Sequence, residues 1–148
     1  MGILGTGIDI VENYRLKKLL LKKKSNFKKR IFTINEIAYC EKKSNTTNCY
    51  SKRFAAKEAF VKALGIGFRR NINFKDIEVV NNSYGKPYIL SNKKIANKIK
   101  TLFKVKKYNI WLSISDEKKH SIANVIISKK WKLIKNFSMT IYRQFFTL

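Results

Sequence analysis

The chain has 148 residues, and its 33 lysines and arginines against 9 acids give a formal net charge of +24. With 45% hydrophobic and 13% aromatic residues it has the composition of a folded protein and not of a disordered tail, and its length fits one domain. The charge predicts attraction to anions such as nucleic acid, a phosphorylated cofactor, an acidic protein or an anionic membrane, although drift toward an A- and T-rich genome also raises Lys, Ile and Asn together and accounts for most of the lysines.

Residues 2–11 read as a short, buried first strand with Gly5 and Gly7 inside it. Glycines there permit close approach of another backbone or a ligand. Met1-Gly2-Ile3-Leu4-Gly5-Thr6 also fits a myristoylation pattern formally, but the strand reading is preferred. A helix over about 12–23 places Tyr14, Leu16, Leu19 and Leu20 on one apolar side and lysines outside. Thr33 followed by Glu36 is a capping-box pattern and predicts a helix over about 34–43. Ser44 to Asn48 is a polar linker. The central helix then spans about 48–64, with Gly65 as its stop. Ile77–Val80 and Pro87–Leu90 flank Asn82-Ser83-Tyr84-Gly85-Lys86 as a hairpin, with Pro87 at the start of an edge strand. Ile95, Ile99 and Leu102 give a helix over about 92–103. Strands at Ile110–Ser115 and Ser121–Ser128 close the pattern, and 129–148 is a basic, aromatic extension without a clear period. The order implies an α+β domain with a mostly antiparallel sheet and helices on one side.

The chemistry concentrates in Arg53-Phe54-Ala55-Ala56-Lys57-Glu58-Ala59-Phe60-Val61-Lys62. A helix apolar almost all round is buried, so Glu58, set among Arg53, Lys57 and Lys62, needs a partner or a metal. The plain alternative is an i, i+4 salt bridge from Glu58 to Lys62, worth about 0.2–0.5 kcal/mol. Asp9 is a second acid within an apolar element. It reads either as a cap for the following helix or, with Glu58, as half of a site holding a hard metal ion and a phosphate-bearing substrate. Gly65-Ile66-Gly67 with Arg69-Arg70 is a second candidate anion site, equally explained by a helix C-cap and a basic loop. Gly85-Lys86-Pro87 is a turn first and a ligand contact second.

Cys40 and Cys49 match no zinc or redox spacing, and the lone His120 does not complete a metal site with them. Free thiols in a reducing compartment are the expectation. No signal peptide is visible and no apolar run reaches transmembrane length, so a cytoplasmic protein is expected. No Walker motif, dinucleotide fingerprint, serine triad or RNA-recognition signature is present. A basic nucleic-acid-binding module therefore rests on net charge alone, and no specific nucleic acid is expected as a partner.

Three motifs resemble the holo-acyl-carrier-protein synthases, the small phosphopantetheinyl transferases of bacterial lipid synthesis. They are Gly5-Thr6-Gly7-Ile8-Asp9-Ile10-Val11-Glu12 with Arg15; Arg53 to Gly67; and Leu112-Ser113-Ile114-Ser115-Asp116 with Ala123-Asn124-Val125-Ile126-Ile127. Gly85-Lys86-Pro87 also falls where expected. The resemblance covers about 1–128 as a catalytic domain, leaving 129–148 as the extension. It implies transfer of the 4′-phosphopantetheine arm of coenzyme A to a serine of apo acyl carrier protein, for fatty acid biosynthesis. It implies magnesium held by Asp9 and Glu58, with Lys62 joining them as a catalytic residue. It further implies coenzyme A contacts from Arg53, Lys62, Gly65, Gly67 and Lys86, carrier docking at Arg15, and a homotrimer with its site between subunits. Where many members carry a histidine after Ser-Ile-Ser, this chain has Asp116. The general base stays open among a metal-bound water, Asp9 and Asp116, and a degenerate, non-catalytic member is a further alternative.

Overall fold

The computed structural model describes residues 2–22, 24–68 and 71–130. The extension thus lies, from residue 131 on, outside the described residues, as do Arg69 and Arg70. Strand β1 (Ile3–Glu12) is followed by helices α1 (Asn13–Lys22), α2 (Lys24–Ile31), α3 (Ile34–Glu41) and α4 (Thr46–Leu64). A short 3-10 turn, Phe74–Asp76, leads to strands β2 (Glu78–Asn81) and β3 (Pro87–Leu90), then helix α5 (Lys93–Phe103) and strands β4 (Tyr108–Asp116) and β5 (His120–Lys129).

The strands form two sheets, both antiparallel. One has the order β1-β5-β4, and the β2–β3 hairpin stands as its own pair. Register in the larger sheet sets Gly7 opposite Val125, Asp9 opposite Ala123 and Glu12 opposite His120. Helix α4 lies across this sheet at backbone contact distance. A Cβ placed on Gly5 would meet the Ala63 carbonyl oxygen at 2.0 Å, and one on Gly7 would meet that of Ala59 at 2.1 Å. The glycines of β1 therefore serve the approach of a helix backbone. Ala55, Ala56, Ala59 and Ala63 keep the helix surface low there, and Ala123, Val125 and Ile127 meet it from β5. A second apolar cluster joins Leu16, Leu20, Ile31, Phe32 and Tyr50.

The expectation of a buried first strand is corrected. β1 is an edge strand covered on one face only, and Ile8 and Ile10 are 61% and 60% exposed on the other. Trp111 and Ile122 continue this open face on β4 and β5.

The capping box at Thr33 and Glu36 forms as expected. Asn45 caps α4, which starts two residues earlier than predicted, and Gly65 ends it in the left-handed region at φ 70°. Lys57 does not join Glu58 in a charged strip. It is fully buried, 2.7 Å from Glu36 Oε2, and donates to the carbonyls of Ile31, Phe74 and Ile77. Burial pulls its ammonium pKa down against the pull of Glu36. The expectation of free thiols is also corrected. The turn between α3 and α4 brings Cys40 and Cys49 to a Cα separation of 5.5 Å, and they form a disulfide within the range such bonds require.

Candidate active site

Asp9 lies in the middle of β1 and caps no helix, which removes the capping reading. Strand alternation turns its side chain, like Gly5 and Gly7, toward α4. Because those glycines let the helix sit close, Lys62 reaches Asp9. Its Nζ is 2.8 Å from Asp9 Oδ1 and also donates to the Ile8 carbonyl at 3.0 Å. The i, i+4 partner suggested by spacing, Glu58, is not the group that Lys62 binds.

Glu58, half-buried one turn earlier on α4, shares with Asp9 a cavity of about 510 Å³. Glu12, Arg15, Phe54 and His120 also line it. Burial raises the Glu58 pKa, the Asp9 carboxylate raises it further, and the Lys62 ammonium opposes both. Two carboxylates that repel across one cavity favour uptake of a proton or a cation. Their donor set is hard oxygen, which suits a divalent ion that keeps waters and phosphate oxygens beside one or two carboxylates. Among the described residues, no three His, Cys, Asp or Glu side chains form a closed metal cluster.

A second cavity, of about 420 Å³, lies against the first turns of α4 and the β2–β3 hairpin. Tyr39, Lys43, Lys52, Arg53, Gly85, Pro87 and Asp116 are among its lining residues. The Arg53 guanidinium packs 4.3 Å from the Tyr39 ring centre. Its Nη2 donates to Asn81 Oδ1 at 3.0 Å, its Nη1 donates to Cys49 Sγ at 3.2 Å, and its buried Nε has no hydrogen-bond partner among the described residues. Burial lowers the Arg53 pKa, and the Glu36 charge works against that. With Lys43, Lys52 and Arg53 in its lining against the single acid Asp116, the cavity suits an anion.

Asp116 is bound 3.0 Å from Lys52 Nζ and accepts from Asn48 Nδ2. It lines this second cavity and not the one holding Asp9 and Glu58. Gly65, Gly67 and Lys86 line neither. Gly65 and Gly67 have φ of 70° and 61°, as turn residues do. Of the Gly65–Arg70 anion site, Arg69 and Arg70 lie outside the described residues. His120 and Glu12, neither singled out from sequence, enter the first cavity because they are paired in the β1–β5 register. Only that register would have found them.

The family model of the ACPS 4′-phosphopantetheinyl transferase superfamily matches residues 5–125. A holo-acyl-carrier-protein synthase of Pelagibacter ubique is 55% identical over 130 residues, covering 88% of this chain and all 100% of the relative. The crystal structure of a holo-acyl-carrier-protein synthase from Neisseria meningitidis superposes with a TM-score of 0.77 at 33% identity, over 86% of this chain and 99% of that one. The synthase of Bacillus anthracis in complex with coenzyme A (3′,5′-ADP) gives 0.71 at 36% identity, over 88% and 100%.

Proposed function

The chain belongs to the 4′-phosphopantetheinyl transferase superfamily, and from that premise we infer that it carries out the holo-acyl-carrier-protein synthase reaction. It transfers the 4′-phosphopantetheine arm of coenzyme A to a serine of apo acyl carrier protein and releases adenosine 3′,5′-bisphosphate. We assign it to fatty acid biosynthesis in the cytoplasm; among the described residues no helix is long and apolar enough to cross a membrane.

One observation carries the mechanistic reading: Asp9 and Glu58 face one cavity, and the charge of Asp9 raises the Glu58 pKa. We assign both as ligands of a magnesium ion. When bound, magnesium supplies positive charge against the transferred phosphoryl and its leaving group. The chain's own residues do the rest. Lys62, held at Asp9, brings an ammonium group to the same edge of the site, where it supports phosphate binding. Arg53 brings its Tyr39-stacked guanidinium to the cavity assigned to the nucleotide end of coenzyme A, with Lys43 and the Gly85–Pro87 turn beside it. We keep Gly65, Gly67 and Lys86 as coenzyme A contacts only for an assembly in which a second subunit completes the site. Of the two side chains weighed as base, Asp116 is committed to Lys52 and Asn48. Asp9 is the one that shares a cavity with Glu58.

Arg15, Lys17 and Lys18 are exposed on α1, and Arg15 also lines the Asp9–Glu58 cavity. That supports docking of an acidic carrier at this helix, with charge steering the encounter. The open sheet face with Ile8, Ile10, Trp111 and Ile122 supports an interface between copies of the chain, since such patches mark interaction sites, and we take that assembly to be the homotrimer implied by the resemblance. We take 1–128 as the catalytic domain and 129–148 as an extension to it. The test is mass spectrometry of apo carrier incubated with the protein, coenzyme A and magnesium. Addition of the arm is expected with the parent chain and its loss with Glu58→Ala, whose circular dichroism should be unchanged. No arm from the parent chain refutes the function. Near-normal turnover by Glu58→Ala refutes the role of Glu58.

A further inference from the structure

The disulfide sits where it can act on the second cavity. Cys40 is in the last turn of α3 and Cys49 in the first turn of α4. The segment it closes carries Lys43, Ser44, Asn45 and Asn48 into the cavity wall. The two sulfurs are not equivalent. Both residues are buried, but Cys49, at 4% exposure, lines the cavity and Cys40, at 0%, does not. Cys49 Sγ also accepts the Nη1 hydrogen of Arg53 at 3.2 Å.

As half of a disulfide, that sulfur is a neutral and weak acceptor, so the Arg53 charge is left for an anion. A cysteine beside a guanidinium ionises more readily than a free one. Opening the bond therefore puts a thiolate against the very cation that faces the cavity. We propose that Cys40–Cys49 is a thiol–disulfide exchange site that sets the anion affinity of the Arg53 cavity. This rests on the reading of that cavity as the nucleotide end of the coenzyme A site.

The reductant is a small monothiol, RSH. Its thiolate attacks the Cys49 sulfur from the cavity that this residue lines, forms a Cys49–S–S–R bond and expels Cys40 as thiolate, which takes up a proton. A second RS⁻ attacks the R sulfur of the mixed disulfide, forms R–S–S–R and releases Cys49 as thiolate. Two electrons pass from two thiols to the protein disulfide. Of the two protons given up by the thiols, one goes to Cys40 and one to solvent while Cys49 stays paired with Arg53. Reduction also releases the tether on 41–48, so the wall bearing Lys43 loses its fixed position.

The test uses the full chain, oxidised or reduced and freed of reagent. Iodoacetamide added under denaturing conditions, followed by mass spectrometry, reads the state, with two additions expected when reduced and none when oxidised. The probe is adenosine 3′,5′-bisphosphate, which has no thiol and cannot open the bond itself. Calorimetry should give a Kd roughly 5- to 10-fold weaker for the reduced chain, the scale of a typical coupling between sites. Cys40→Ser, which keeps the Cys49 thiol and cannot form the bond, should bind weakly under both conditions. Equal affinity in the two states of the parent chain overturns the proposal alone, as does alkylation of both cysteines after oxidation. No binding in either state overturns the coenzyme A reading of the cavity and this inference with it.

Discussion

Lys57→Met removes a buried cation and leaves its partners behind. Both Lys57 and Glu36 have side chains at 0% exposure, 2.7 Å apart. The variant strands the Glu36 carboxylate and three main-chain carbonyls, those of Ile31, Phe74 and Ile77. Glu36 keeps its amide donors, Thr33 and Val79, but loses its ion-pair partner, with only the longer-range charge of Arg53 left to it. Breaking a buried pair on one side costs about 3–5 kcal/mol, against a total stability of about 5–15 kcal/mol for an ordinary domain. Each kcal/mol moves Tm by roughly 2–4 °C at this size, so a fall of roughly 6–20 °C is expected. Urea melts followed by circular dichroism should show a lower midpoint at unchanged slope. Adding Glu36→Leu should recover part of the loss, because no buried charge is then unpaired. A single variant within about 1 kcal/mol of the parent would refute the view that this pair ties α2, the 3-10 turn and β2 to α4.

Gly7→Ala should destabilise by about 1–3 kcal/mol or more, since its Cβ would lie 2.1 Å from the Ala59 carbonyl oxygen; an unshifted urea midpoint would contradict the close approach of α4. Glu58 is an acid whose pKa is raised in the fold, so the fold binds more protons than the unfolded chain between the ordinary glutamate range and that raised value. Stability from this group is complete below the unfolded pKa and is lost as pH rises through the folded one. Glu58→Gln should thus raise Tm at pH 7 without magnesium and flatten the loss on going up from pH 4, as read by thermal melts at several pH values. Arg15→Glu should weaken carrier binding more than coenzyme A binding; equal losses by calorimetry would count against docking on α1.

Much of this was legible in the sequence because local physics decided it. The Thr33–Glu36 box and the Gly65 stop formed as read, and the two closing strands formed with slightly wider bounds. Asp9 and Glu58 stood out because an acid in an apolar element demands an explanation. Helix α2 did not stand out. Its Lys24–Ile31 span offers only Phe27 and Ile31 as apolar residues, too few turns for a period, and its stability comes from packing on neighbours. Lys57 looked like part of a charged strip because its partner, Glu36, is distant in sequence and meets it only in the folded core. Helical spacing offered Glu58 as the plain salt-bridge partner of Lys62, but the close seat of α4 on β1 gave it Asp9. The Cys40–Cys49 bond depends on the turn between two helices, which no cysteine spacing encodes.

The most direct measurement is manganese or magnesium binding in the presence of adenosine 3′,5′-bisphosphate, titrated into the parent chain, Asp9→Asn and Glu58→Gln. Two carboxylates acting on a shared ion predict one ion per active site in the parent and a large loss of affinity in each single variant. Retention of that ion at parental affinity after Glu58→Gln would contradict the account at its root.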